Sequence, residues 1–261
     1  MLKDAERRAI ASALAAAERD RKPIDPPSAT HPAMDVADAY EIQLLQIRER
    51  LAAGRRVRGH KVGLSSKAMQ RMMQVHEPDY GHLLDDMFVF EGERVALDTL
   101  CQPRVEFEVA FVLGQPLPAP GCTVADVLRC TAHVAPAIEI IDSRIADWKI
   151  GLRDTIADNA SSARVVLGGN AVAPAALDLR LIGVLASKNG EIVDTGASGA
   201  VLGNPATAVA WLANKVHGFG VSLEAGHVIL PGSCTRAFDV GRGDVVTAEF
   251  DHLGMVTVCF E

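Results

Sequence analysis

The chain has 261 residues, 49% of them hydrophobic, and a formal charge of −7. That length supports one large domain or two small ones around a substantial core, and the acidic balance with scattered basic residues excludes a general attraction to nucleic acid or an anionic membrane. Five cysteines, Cys101, Cys122, Cys130, Cys234 and Cys259, form no C-x-x-C pair and are odd in number, which argues for reduced thiols and a cytoplasmic setting.

The opening stretch MLKDAERRAIASALAAAERDRK sets alanines between close charges, so it reads as a surface helix rather than a secretion signal. No run approaches the roughly 20 uncharged apolar residues of a membrane span. Pro23, Pro26, Pro27 and Pro32 predict a connecting segment without regular structure. Asp35 then caps a predicted helix to about Ala53, with Val36, Tyr40, Leu44, Ile47 and Leu51 on one stripe and Gly54 as its stop. From Val57 the pattern changes to short β-rich runs: RVRGHKVGL, MFVFEG, RVEFEVAFVLG, APAIEIID and RVVLGG. Asn189-Gly190 predicts a tight hairpin between Leu181–Ala186 and Glu191–Asp194. Asn204-Pro205 opens a helix with Ala206, Val209, Leu212 and Val216 inward and Gly218 at its end. The tail GDVVTAEFDHLGMVTVCFE is a second hairpin pattern. Strands and long helices do not alternate regularly and no G-x-G-x-x-G follows a strand, which disfavours a doubly wound nucleotide fold. The expected class is α+β: a helical region over residues 1–56 and a mixed β-roll or barrel-like body over 57–261.

PRVEFEVAFV, residues 103–112, places Val105, Phe107, Val109 and Phe111 on one strand face and Glu106, Glu108, Ala110 and Val112 on the other. Glu139 interrupts the apolar run of APAIEIID in the same way. Two accounts fit. Three carboxylates in apolar strands suit a hard cation such as Mg²⁺ or Mn²⁺; alternatively Glu106 and Glu108 line a solvated face and Glu139 pairs with Arg104 or Arg144.

Other polar stretches carry similar choices. Lys61, between small and apolar neighbours, is a candidate acid-base lysine or an ordinary ion-paired one. Asp79, after Pro78, reads as a turn residue that could present its carboxylate to a cleft. IADNASS gathers Asp158, Asn159, Ser161 and Ser162, able to orient a polar ligand or to cap backbone. PGSCTR supplies Ser233 and Arg236, the latter suited to a substrate carboxylate. Cys234 has no base beside it in sequence, and the spacing of His76 and His82 about Asp79 is poor support for an iron triad.

Taken in order, GHKVGLSS, EPDYGHLLDDM, PRVEFEVAFVL, APAIEIIDSRIADWKI, DTIADNASS, VLGNPATAVAWLA and LPGSCTR resemble the 2-keto-4-pentenoate hydratase family of the fumarylacetoacetate hydrolase superfamily, most closely its 2-hydroxyhexa-2,4-dienoate hydratases. The resemblance spans nearly the whole chain. It implies a fumarylacetoacetate hydrolase C-terminal-like body and Mg²⁺ or Mn²⁺ held by Glu106, Glu108 and Glu139. It also implies acid-base roles for Lys61 and Asp79, and substrate contacts from Asp158, Asn159, Ser161, Ser162, Ser233 and Arg236. The implied reaction adds water to a 2-hydroxy-2,4-dienoate, giving a 4-hydroxy-2-oxo acid in meta-cleavage catabolism of aromatic or steroid rings. A homo-oligomer and association with another pathway enzyme are implied as well. The rival within the family is a 4-oxalocrotonate decarboxylase, favoured by IIDSR and disfavoured by Asp79, whose counterpart there is apolar. A non-catalytic, metal-stabilised scaffold subunit is the reading from another class.

Overall fold

The structure, a computed structural model, describes residues 1–72 and 74–261. Its first helix, α1 (Asp4–Asp20), buries Ile10, Ala11, Leu14 and Ala17, and packs on α3 (Val36–Ala52). Between them the proline-rich segment is not wholly irregular. Pro27 starts a single helical turn, α2 (Pro27–Thr30), because proline at the first helical position gives up an N–H that has no partner there anyway. Asp35 caps α3 as expected by accepting the Asp38 amide at 2.8 Å. The buried side of α3 is broader than a stripe: Asp38, Ala39, Ile42 and Gln43 join Tyr40, Leu44 and Ile47, whereas Leu51 is exposed.

The body begins with β1 (Val57–Gly63), α4 (Lys67–Met72), β2 (Asp79–Leu84), β3 (Phe88–Val89), β4 (Arg94–Val95) and β5 (Pro103–Leu113). It continues through α5 (Val124–Cys130), β6 (Thr131–Asp142), α6 (Leu152–Ala157), β7 (Ser162–Leu167), β8 (Gly183–Lys188) and β9 (Glu191–Ala197). It ends with α7 (Pro205–His217), β10 (Val228–Leu230), β11 (Phe238–Asp239), β12 (Val245–Phe250) and β13 (Gly254–Phe260). Both expected hairpins form: β8 and β9 turn at Asn189-Gly190, both in the left-handed region, and β12 pairs antiparallel with β13. The Asn204 side chain caps α7 through the Ala206 amide at 3.0 Å.

The larger sheet runs β2-β1-β10-β5-β6-β7-β3, with β11 added on β5, and the smaller runs β4-β13-β12-β8-β9. Parallel pairs (β1–β10, β3–β7, β13–β4) mix with antiparallel ones. The large sheet curls: β2, at one end of the order, touches β7 near the other.

That curl explains the two-faced strand β5. Val105, Phe107, Val109 and Phe111 pack in the main core with Ile138 and Ile140 of β6 and with Val246, Phe250, Val256 and Phe260 of the small sheet. Each such aromatic or aliphatic side chain contributes roughly 1.5–3 kcal/mol when fully buried. The opposite face is also enclosed. Ala110 joins Leu83, Leu84, Ala137, Val165, Val228 and Leu230 in a second apolar cluster inside the curl. The solvated-face account of Glu108 therefore fails, because the sheet folds over it.

Candidate metal and acid-base site

Glu106 and Glu139 are direct cross-strand partners on β5 and β6, and Glu108 lies two residues along the same face. Antiparallel pairing thus brings oxygens of all three carboxylates within 4.8 Å of one another. Glu108 and Glu139 are fully buried, and Glu106 partly so. Glu108 Oε2 accepts the Gly232 amide at 2.6 Å, whereas Glu108 Oε1 and both Glu139 oxygens have no hydrogen-bond partner among the described residues. Burial raises the pKa of all three and Lys61 opposes it; Asp79 adds to the rise of Glu106, Glu139 and Glu106 to that of Glu108, and Glu106 to that of Glu139, which is pushed up to about 7. Buried anions at this spacing call for a cation.

Lys61 supplies part of that charge. Its Nζ lies 3.4 Å from Glu139 Oε1 and donates to the Ala160 carbonyl at 3.1 Å. Burial lowers its pKa, but Glu139, Glu106, Asp79 and Glu108 outweigh burial and raise it. The arginine partners considered for Glu139 are engaged elsewhere: Arg104 pairs with Asp239 and stacks on Trp148, and Arg144 pairs with Asp158.

Asp79 is not a turn residue. It begins β2, is 1% exposed, and sits opposite Gly63, so alternation places it on the Lys61 face. Neither carboxylate oxygen has a hydrogen-bond partner among the described residues, and burial, opposed by Lys61, holds its pKa above the ordinary aspartate range. His82 lies on the other face, where its ring is tilted against that of His60, centroids 4.8 Å apart, and contacts Gln43 Oε1 at 3.1 Å. It does not join the carboxylates.

The DNASS stretch forms a buried loop beside this face. Asn159, Ala160 and Ser161 are consecutively left-handed, with φ of 51°, 51° and 54°; each costs a non-glycine residue about 1–2 kcal/mol. Asn159 grips β2, accepting the His82 amide at 2.8 Å and donating to the His82 carbonyl at 2.9 Å. Ser162 Oγ is buried without a hydrogen-bond partner among the described residues, while Ser161 Oγ donates to Asp158 at 3.4 Å. Ser233 accepts the Phe107 amide at 3.2 Å, adjacent to the Gly232 that binds Glu108.

Two residues expected to contact substrate have their charged groups engaged by protein partners. The Asp158 carboxylate is taken by the Arg144 guanidinium and amide, at 2.5 and 3.0 Å, and Arg236, with its side chain 90% exposed, pairs with Asp194. Sequence reading missed Gln43, whose amide donates to the carbonyls of Tyr80 and Ile156 at 2.9 and 2.8 Å. Its place on the buried stripe of α3, three residues after Tyr40 and four before Ile47, was the available signal. Close approach also matters. A Cβ at Gly81 would lie 2.3 Å from Asn159 O and 2.8 Å from Ser162 Oγ, so Gly81→Ala should cost about 1–3 kcal/mol, seen as a lower thermal midpoint; an unchanged midpoint would show that the loop yields freely.

The chain as a whole is similar to proteins of known activity. The chain is 44% identical to a 2-oxo-hept-4-ene-1,7-dioate hydratase of Escherichia coli, covering 96% of each chain. It is 45% identical to a 2-hydroxyhexa-2,4-dienoate hydratase of Comamonas testosteroni, covering 93% of this chain and 92% of that one. Its fold superposes with a TM-score of 0.96, at 38% identity, on a 4-oxalocrotonate decarboxylase from Pseudomonas putida G7 complexed with magnesium and adipate, covering 100% of this chain and 99% of that one. The α+β, β-roll expectation holds. Residues 52–261 match the family described as fumarylacetoacetate (FAA) hydrolase C-terminal, and the chain belongs to that family.

Proposed function

We propose that the protein is a metal-dependent hydro-lyase that adds water to a 2-hydroxy-2,4-dienoate, such as 2-hydroxypenta- or 2-hydroxyhexa-2,4-dienoate. The product is a 4-hydroxy-2-oxo acid of a meta-cleavage pathway for aromatic or steroid rings. The observation that carries this reading is the buried set of Glu106, Glu108 and Glu139 beside Lys61 and Asp79 on one enclosed sheet face. Orphaned oxygens on Glu108 and Glu139 fit an oxygen-seeking ion, Mg²⁺ or Mn²⁺. Such an ion would supply positive charge for the substrate carboxylate and C2 oxygen.

The chain's own residues handle the protons. Ketonisation moves the C2 hydroxyl proton to C5, leaving a conjugated 2-oxo-3-enoate; water then adds its oxygen at C4 and a proton at C3. Lys61 has three N–H donors, one directed at Ala160 O and one facing Glu139, which leaves a third for the substrate. Asp79, raised in pKa by burial, shares proton transfer and orients the water with Lys61. Asn159, Ser161, Ser162 and Ser233 line the approach. We assign residues 57–261 to catalysis and 1–56 to their helical support, in a homo-oligomer of the cytoplasm. The five free thiols fit a reducing compartment, and no helix among the described residues is long and apolar enough to cross a membrane.

The fold match to a 4-oxalocrotonate decarboxylase favours decarboxylation as the second reading; the buried Asp79 favours hydration. Steady-state turnover of 2-hydroxypenta-2,4-dienoate, 2-hydroxyhexa-2,4-dienoate and 4-oxalocrotonate separates them. Hydration predicts loss of dienoate absorbance with a 4-hydroxy-2-oxo product, whereas carbon dioxide release from 4-oxalocrotonate as the fastest reaction would reverse the assignment. Asp79→Asn should lower kcat for hydration about 100-fold or more with Mg²⁺ affinity nearly unchanged; equal losses in both would make Asp79 a ligand or structural residue.

A further inference from the structure

Resting on the role given to Lys61 above, we propose that the buried Arg144–Asp158 pair is a positioning device for the Lys61 ammonium, acting through the Ala160 carbonyl. Arg144 lies just past the end of β6, and its guanidinium spans the left-handed turn. Nη2 donates to the carbonyl of Asp158 and Nη1 to that of Ser162, the latter at 3.0 Å, the two residues that flank positions 159–161. Nη1 also donates to Asp142 O at 2.6 Å, tying the turn to the end of the strand that carries Glu139. Nε and the backbone N–H of Arg144 hold the two Asp158 oxygens.

Three consecutive left-handed non-glycine residues persist only where their surroundings over-determine them. Arg144 fastens both flanks of the turn, and Asn159 fastens its start to β2 through both His82 backbone groups. At its middle, Ala160 O is aimed at Lys61 Nζ, 3.1 Å away. Glu139 Oε1 lies 3.4 Å from the same ammonium. Arg144 thus sets two coordinates at once: the end of the strand bearing Glu139 and the carbonyl that counterposes it. A misplacement of about 1 Å at a reacting group costs on the order of 100-fold in rate, so the ion pair controls turnover without touching substrate.

The test uses the full chain, Mg²⁺-loaded, with Asp158→Asn alone and in a Lys61→Ala background. Asp158→Asn should lower kcat about 100-fold while KM and Mg²⁺ affinity stay within about twofold, and it should cost nothing further once Lys61 is alanine. An independent readout is the acetylation rate of Lys61 by mass spectrometry: about tenfold faster in Asp158→Asn, with the other lysines unchanged. If Asp158→Asn does not fold, Arg144→Lys, which keeps the buried charge, carries the same comparison. A penalty that persists in the Lys61→Ala background, or an unchanged acetylation rate, overturns the proposal. Hydratase activity absent from the unsubstituted protein would instead refute the functional reading, and the acetylation comparison would still decide the positioning role.

Discussion

Glu108→Gln should abolish measurable turnover at ordinary Mg²⁺ concentrations and weaken Mg²⁺ affinity by more than about 100-fold, since even partners behind a metal ligand are worth 10–100-fold. Glutamine keeps the acceptor for the Gly232 amide but removes one of three anions packed within 4.8 Å. The same change should stabilise metal-stripped protein at alkaline pH. Burial raises the pKa of both Glu108 and Glu139; Glu139 and Glu106 push Glu108 further up, Glu106 pushes Glu139 further up, and Lys61 opposes. A carboxyl whose folded pKa lies above its unfolded one binds more protons when folded, so its contribution is present below the unfolded pKa and is lost as pH rises through the folded pKa. For Glu139 that window runs from about 4.5 to about 7. Stripped wild-type protein should therefore melt lower at pH 8 than at pH 5, Mg²⁺ should raise the pH 8 midpoint more than the pH 5 one, and Glu108→Gln should flatten the profile. Calorimetric scans with and without Mg²⁺ check all three; a pH-independent midpoint would contradict the electrostatic account.

Lys61→Ala should have the opposite signature. Removing a general acid-base group costs about 10²–10⁴ in rate, so kcat should fall by that range. Metal affinity, in contrast, should hold or tighten. The ammonium 3.4 Å from Glu139 competes for the same negative charge that would bind the ion, and its removal leaves the carboxylates less compensated. Titration of Mg²⁺ alongside single-turnover kinetics separates the two effects. Loss of metal binding in step with kcat would mean that Lys61 organises the carboxylates rather than serving the reaction.

What the sequence made legible was chiefly local. Asp35 and Asn204 cap their helices, and Asn189-Gly190 turns its hairpin, because each acts on backbone within a few residues. The alternation in PRVEFEVAFV likewise gave both faces of β5. It could not say which face met water, because Glu108 is enclosed only once the sheet curls and brings Leu83 and Leu84 of β2 and Val165 of β7 to the same face, beside β10 (residues 228–230), which pairs with β5 from far along the chain. Asp79 looked like a turn since Pro78 precedes it and Gly81 follows; only pairing with β1 makes it a strand residue. Gly81 is there because Asn159 and Ser162 lie against it. Asp158 and Arg236 illustrate the limit of residue type as a guide: a carboxylate and a guanidinium in polar loops look like substrate contacts until their partners, Arg144 and Asp194, are in view. The full-length ordered resemblance supplied the metal and acid-base assignments that spacing left open.

The most direct measurement is turnover of 2-hydroxypenta-2,4-dienoate by protein freed of divalent ions and verified so by elemental analysis, then titrated with Mg²⁺ or Mn²⁺. The account predicts no loss of dienoate absorbance before titration and saturable recovery after it, with the 4-hydroxy-2-oxo acid identified by NMR. Unchanged turnover by the metal-free protein would contradict it.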